Sequence, residues 1–204
     1  MNKTVGIAIR AALVVAILGL TYALVQSIME PINFQKERKQ REDKVVEQLK
    51  DIRVVERAFK SEFGRYAGSF DTLANFYKNG TVTVELQIGS LDDSLAVALK
   101  QVIRKKEKVA VSEAFPIKTP ADSLAIVPGC NGATFELAAG TLITSSKVPV
   151  PVFECKVHND VVLQDLDRQL VVNLNDERKK LDRYPGLKVG SLSEATNDAG
   201  NWEQ

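Results

Sequence analysis

An uncharged, mostly apolar run at residues 11–29 constrains this chain more than any other feature. At about 1.5 Å per helical residue it extends about 28 Å, which nearly matches the roughly 30 Å hydrocarbon core of a bilayer. Lys3 and Arg10 precede the run, so a cleaved signal peptide is the main alternative. The run is longer than the apolar region of a usual signal peptide and lacks a convincing cleavage site. We therefore predict an uncleaved, single-pass transmembrane anchor over residues 1–30, with membrane lipid as its partner.

A charged segment at residues 31–63 follows and is predicted to be an amphipathic helix, which we call the spine. Its apolar residues recur at steps of three or four, which places them on one helical face. Pro31 lacks an N–H group and is expected to kink or interrupt the helix. Interleaved acids and bases predict a solvated, salt-bridged outer face rather than a stripe that binds RNA or lipid. The predicted packing stripe consists of Val45, Leu49, Ile52, Val55, Phe59 and Phe63.

The spine is predicted to end at a corner, residues 64–69. Gly64 suits the left-handed conformation that ends many helices, and Ser69 suits the N-cap of a second helix at residues 70–78. Between them, Tyr66 is expected to lay its ring on the body of the protein. We interpret Gly64, Tyr66 and Ser69 as a structural corner rather than a catalytic loop.

The remainder, residues 64–204, is predicted to be a globular head with an α+β fold. The fold class is therefore a transmembrane helix continuing into a long amphipathic helix, packed on a mainly antiparallel, β-rich head. Pro149 and Pro151 predict that their strand lies at an edge or has one side unpaired. The last helix is predicted at residues 175–184 with Asn175 as its N-cap. Further strands are predicted at residues 81–88, 107–115, 123–128, 133–144, 148–157, 160–166 and 187–192, with a helix at 91–106.

Composition and motifs argue against several functional classes. The net charge is +1, which gives no electrostatic case for binding nucleic acid. Glycine-rich phosphate loops, nucleophile elbows and zinc-protease motifs do not occur in the sequence. His158 is the only histidine and lies in an expected turn, so a pair with a cysteine nucleophile is disfavoured. We predict that the protein is not an enzyme and needs no cofactor, with an unrecognised envelope enzyme as the lowest-ranked alternative.

The polar C-terminal tail, residues 193–204, is rich in oxygen donors. Glu194, Asn197, Asp198 and Asn201 could bind a hard cation such as calcium, although their spacing does not match an EF-hand loop. The competing interpretation is an ordered polar turn, with Trp202 tucked against the body as an anchor.

The two cysteines, Cys130 and Cys155, leave two states open. They can form one disulfide in an oxidising compartment or remain free thiols. Basic residues are more numerous after the apolar run than before it, which favours a cytoplasmic head. Because long domains translocate largely regardless of flanking charge, the flanking charges leave the orientation open.

The spine, the corner and the tail together resemble bacterial type IV pilins and type II secretion pseudopilins. The segment IRVVERAFKSEFGRYAGSFDTL is similar to the major-pseudopilin segment in which a helix ends in Gly-x-Tyr before a short helix. Gly64, Tyr66 and Leu73 are the matching positions. The segment VGSLSEATNDAGNWE is similar to the acidic, often calcium-binding terminal loop of pseudopilins, with Asn201 and Trp202 at its closing Asn-Trp.

The resemblance covers about 80 residues and has two departures. Gly6-Ile7 fits the site where prepilin peptidase cuts, but residue 11 is alanine where the family carries a glutamate. The middle of the head has no counterpart in that family. The chain as a whole also resembles single-pass membrane proteins of the Bacteroidetes type, which implies no activity.

These observations predict a non-enzymatic, membrane-anchored structural or assembly protein, a pilin-like or pseudopilin-like subunit or envelope scaffold. The resemblance implies an inner-membrane location, a periplasmic head and other protein subunits as partners, including further copies of the chain. The alternative is an accessory subunit of a larger membrane complex, whose head docks a partner through an edge strand such as residues 148–152.

Overall fold

The computed structural model describes residues 3–88 and 103–203. The described chain is α+β, with one very long helix, several short helices and two antiparallel sheets. The helices are α1 (Lys3–Phe63), α2 (Phe70–Asn79), α3 (Val111–Ala114), α4 (Asn159–Val162) and α5 (Arg168–Lys180), with a 3₁₀ turn at Ala121–Ser123. The strands are β1 (Thr81–Ile88), β2 (Ile103–Ala110), β3 (Glu136–Ile143), β4 (Pro149–His158) and β5 (Gly186–Gly190).

Helix α1 is uninterrupted over 61 residues and would be about 90 Å long at 1.5 Å per residue. Pro31 lies inside it, so the expected interruption was wrong. Proline removes one backbone hydrogen bond but fixes a φ angle compatible with a helix, and the turns on both sides continue. Residues 11–33 are all exposed in the isolated chain, and this part of α1 is long and apolar enough to cross a membrane.

The packing stripe of the spine is confirmed in five of its six positions. Val45, Leu49, Ile52 and Val55 have no exposed surface, and Phe59 is almost fully buried. Phe63 was wrongly assigned to the buried face, since 54% of its surface is exposed. It lies in the last turn of α1, where its ring contacts the rings of Phe59 and Phe76 on one side only.

The predicted corner and second helix are also present. Gly64 has a φ of 70° and donates its N–H to the carbonyl oxygen of Lys60 at 2.8 Å, which ends α1. Ser69 caps α2 by accepting the N–H of Thr72 at 3.4 Å. The chain therefore turns from the spine into the head within six residues.

Strands β1 and β2 form an antiparallel hairpin in which Thr81 lies opposite Ala110 and Ile88 opposite Ile103. The strand predicted at residues 81–88 is confirmed. A helix was predicted at residues 91–106, but residues 103–106 belong to β2. The rest of that predicted helix, residues 91–102, lies outside the described residues. The strand predicted at 107–115 ends early, because Val111 begins α3.

The second sheet has the strand order β3-β4-β5 and packs against the spine. Strand β4 contains both Pro149 and Pro151 and is central in the strand order. Its proline-containing half nevertheless pairs with β3 alone among the described strands, because β5 pairs only with Glu154–His158, so one side of residues 149–153 is unpaired as predicted.

Two predicted strands and one predicted cap were wrong. Residues 123–128 contain the end of a 3₁₀ turn and a single bridge, and residues 160–166 form α4 and a turn. Helix α5 begins seven residues earlier than predicted, because Asp167 caps it by accepting the N–H of Leu170 at 2.9 Å. Asn175 lies inside that helix, where its side chain binds Asn159 and Asp160.

The spine and the head share one hydrophobic core. Buried side chains of α1 lie in the same cluster as those of α2, β4, α5 and β5. The second half of α1 is therefore the centre of the head rather than a stalk beneath it.

Candidate functional site

A cluster of polar groups, of which Glu56 and Tyr66 are buried and Arg57 is exposed, lies where the spine, the corner and the tail meet. The spine contributes Glu56, Arg57 and Lys60, the corner contributes Tyr66, and the tail contributes Asp198. We call this cluster the junction. It joins residues more than 130 positions apart in the sequence.

Tyr66 is the centre of the junction. Its side chain is 2% exposed, and its ring lies 4.8 Å from the ring of Phe153 on β4. The phenol lies 2.7 and 2.8 Å from the two carboxylate oxygens of Asp198, to which it donates. Lys60 donates to the phenol oxygen at 3.0 Å. Burial, followed by the bond to Asp198, raises the pKa of Tyr66, so the phenol stays protonated.

The tail is held on one face of the spine by two arginines four residues apart. Arg57 binds the Asp198 carboxylate through Nε at 3.1 Å and the Asn197 carbonyl oxygen at 2.9 Å. Arg53 binds the Glu203 carboxylate at 2.8 Å, and this hydrogen bond lowers the pKa of Glu203. Ion pairing therefore fixes both ends of the tail segment 197–203 to the spine.

Asn201 and Trp202 close the tail onto the body, as the anchor interpretation expected. The Asn201 side chain accepts the N–H of Lys188 at 3.1 Å and donates to the carbonyl oxygen of Gly186 at 2.9 Å. Trp202 packs against the core beneath Gly200, where a Cβ atom would come within 2.4 Å of the indole ring. The tail thus runs beside β5 and covers its free edge.

Glu56 is the junction residue that the sequence interpretation missed. Its side chain has no exposed surface. Oε2 accepts the N–H of Ala67 at 2.8 Å, whereas Oε1 has no hydrogen-bond partner in the described part of the chain. Burial is the main cause that raises the pKa of Glu56 to about 8, and the Asp198 carboxylate adds to the effect. The carboxyl group is therefore mostly neutral at pH 7.

The four predicted calcium ligands lie in one loop, but two of them already have other partners. Asp198 binds Tyr66 and Arg57, and Asn201 binds β5. Glu194 and Asn197 line a small cavity of about 150 Å³ beside β4. Among the described residues, no group of three or more acidic, histidine or cysteine side chains is arranged to hold a metal ion. Calcium binding stays a prediction, which a calcium-dependent rise in melting temperature would test.

Cys130 and Cys155 are both free thiols, so the structure contains no disulfide between them. Both are buried, and burial raises the pKa of each thiol. His158 ends β4 and uses Nδ1 to accept the N–H of Asp160, which caps α4. Its role in the structure is that of a cap.

The spine also binds the head at successive levels below the junction. Near the apolar half of α1, Arg41 forms a bidentate ion pair with Asp165. Higher up, the buried amide of Gln48 donates to the carbonyl oxygens of Ser123 and Ile126, both at 2.8 Å, and of Leu124 at 3.1 Å. Charged residues that were expected to be solvated therefore fix the head to the helix.

A cavity of about 710 Å³ lies between the spine, α5 and β5. Within its charged lining, Glu42 binds both Arg38 and Arg178, at 3.1 and 3.2 Å. Neither this cavity nor the junction presents a nucleophile beside a general base within the described residues. The geometry supports attachment of segments to one another.

No family model matches the chain, and comparisons with curated proteins and with solved structures find no match.

Proposed function

We propose that this chain is a single-pass, membrane-anchored structural or assembly protein, a pilin-like subunit or envelope scaffold. One observation carries the proposal: a single uninterrupted helix supplies both a membrane-length apolar segment and the centre of the head's core. Residues 11–30 are all exposed in the described chain, so their apolar side chains can contact lipid or neighbouring helices.

Rigidity distinguishes this arrangement from a soluble domain on a membrane tether. A tether would carry a flexible linker rich in glycine, serine or proline between the membrane and the head. Here Ile32 is still exposed and Phe34, two residues later, is already buried by the head. The position of the head is therefore fixed relative to the anchor. A subunit that packs into an ordered array requires such a fixed position.

The pilin-like form of the proposal is supported by three local features. The spine ends in the Gly64-Arg65-Tyr66 corner, an antiparallel sheet packs on the spine, and the tail closes on Asn201-Trp202. The alanine at position 11 removes the glutamate that sets the register between neighbouring subunits in pilins. We therefore propose packing through the anchor helices with a periplasmic head, without that salt bridge.

The test is cross-linking of the full chain in its native membrane. Single cysteines placed in turn along residues 12–24 are treated with a membrane-permeable bis-maleimide. The unsubstituted chain is the control, because its two native thiols are buried. We expect cross-linked dimers at positions spaced three or four apart. Absence of cross-links between copies at every position would contradict self-association.

Analysis of the mature N-terminus separates a pilin from a scaffold. A chain beginning at Ile7 would support processing by prepilin peptidase. An intact Met1 would contradict the pilin-like form and leave the scaffold proposal standing.

One observation favours the accessory-subunit alternative. Strand β3 pairs only with β4 in the described chain, is eight residues long, and carries a single charged residue, Glu136. Edge strands are usually protected by charges, proline or bulges. Ile143 and Val148 near the hairpin tip are 71% and 52% exposed. If a partner docks through β3, a single cysteine at Thr141 should cross-link to a different protein. A single cysteine at Asn173, on the exposed face of α5, should give no such cross-link.

A further inference from the structure

Glu56 poses a physical problem that the assembly role does not explain. A carboxyl group without exposed surface normally pairs with a cation or saturates its hydrogen bonds. In the described chain Glu56 forms no ion pair, and Oε1 lacks any hydrogen-bond partner. Ionisation would leave a buried anion without compensation, which is among the more costly states in a protein interior.

The groups that face Glu56 come from three segments. The corner supplies the Ala67 N–H, which donates to Oε2 at 2.8 Å. The tail supplies the Asp198 carboxylate, which acts on Glu56 as a like charge. Strand β4 supplies the buried Cys155 thiol, whose own pKa is raised by burial and by Glu56. On the spine itself, Arg57 is bonded to Asp198 and Asn197.

We propose that Glu56 is a proton-dependent latch, in which the neutral carboxyl holds the corner and the tail against the spine and loss of its proton releases both. The released carboxylate reaches water only if the corner moves off the spine. Tyr66 moves with the corner, and its bond to Asp198 carries the motion to the tail. The ion pairs of Arg53 and Arg57 and the bonds of Asn201 to β5 are then the remaining contacts that restrain the tail. This inference is independent of the proposed assembly role.

The direction of the pH dependence follows from linkage. Glu56 has a pKa of about 8 in the closed state and an ordinary value near 4.5 once it is exposed. The closed state therefore binds more protons than the open state between those values. Below about pH 4.5 both states are protonated, and the latch is fully closed. Between about pH 4.5 and pH 8 the equilibrium constant for opening rises by up to about tenfold per pH unit, and above about pH 8 it levels off.

Cys155 reports the opening directly, because it is fully buried beside Glu56. The full chain with Cys130→Ala is treated with a thiol-specific reagent in detergent from pH 6 to pH 9, with and without Glu56→Gln. The buried thiol reacts only after opening, when Cys155 and residue 56 are both exposed, so thiolate formation accelerates both proteins alike and the ratio of their rates isolates the latch. We expect the reaction rate of the protein with Glu56, divided by that of the Glu56→Gln variant, to rise at least tenfold between pH 6 and pH 8.

Asp43→Asn, which removes an exposed carboxylate elsewhere on the spine, is the matched control and should leave the ratio unchanged. A ratio that stays constant with pH would overturn the proposal. If Glu56→Gln does not fold, emission from Trp202 in the unsubstituted chain decides the matter. A shift of that emission that grows with pH and levels off above about pH 8 supports the latch, and constant emission from pH 6 to pH 9 overturns it.

Discussion

Tyr66 donates the hydrogen of its phenol to Asp198, which lies 132 residues further along the chain, at 2.7 Å. The bond connects the end of the spine to the C-terminal tail, and both partners are largely shielded from solvent. It therefore connects the two ends of the head to each other and to α1.

Tyr66→Phe is expected to destabilise the full chain by about 1–3 kcal/mol. The substitution keeps the ring on Phe153 but deprives the shielded Asp198 carboxylate of a donor. Chemical denaturation in detergent measures the change. Tyr77→Phe is the control, because that phenol accepts only one bond, from the Ile117 N–H at 3.3 Å, and a smaller loss is expected. Equal losses for the two variants would contradict the role assigned to Tyr66.

Gly64→Ala is expected to cost about 1–2 kcal/mol, because the residue has a φ of 70° and a Cβ atom is disfavoured there. Space is not the cause, since nothing lies within 4 Å of the Cβ position. Gly68→Ala is the matched control. It also has open space but no positive φ, so its stability should be close to that of the parent. A neutral Gly64→Ala would show that the corner does not depend on the left-handed conformation.

Leu49→Ala is expected to cost about 2–5 kcal/mol, the range for a fully buried leucine in a close-packed core. Phe63→Ala removes a larger side chain, but one that is 54% exposed, and the loss should be smaller. Thermal unfolding of both variants gives the comparison. A larger loss at Phe63 would mean that the end of the spine is covered in the membrane-bound protein.

Gln48→Met tests the contact between the spine and the loop at residues 123–126. Methionine is similar in length but cannot donate to the three carbonyl oxygens that the amide now binds. We expect a loss of about 1–3 kcal/mol for the unsatisfied buried groups. Gln40→Met, at an exposed position on the same helix, should have little effect and sets the baseline.

The features predicted correctly from the sequence are those that depend on local pattern. The spacing of Leu49, Ile52 and Phe59 predicted the buried face, and Gly64 and Ser69 predicted the corner. Glu56 was also within reach, because it lies four residues after Ile52 and three before Phe59 and so falls on the same face. It was not assigned to the buried stripe, which was drawn from apolar residues alone, and carboxyl groups are rarely buried.

The features predicted wrongly depend on contacts between distant segments. Residues 160–166 are rich in valine and leucine and suggested a strand, but Val162 and Leu163 are buried through α4 and the turn after it. Asn175 resembled a helix cap, whereas Asp167 takes that role and frees Asn175 for a buried bond to Asn159. Likewise, the sequence does not show that Arg57 binds a residue 141 positions away.

We propose that α1 is one rigid helix that connects the membrane to the core of the head. Spin labels at Leu20 and Gln40, both exposed on α1, test it by electron–electron distance measurement in lipid bilayers. A continuous helix places these positions about 30 Å apart, and we predict a single narrow distance distribution near that value. A broad distribution, or one centred at a much shorter distance, would show that the helix bends or breaks at Pro31 and would contradict the account.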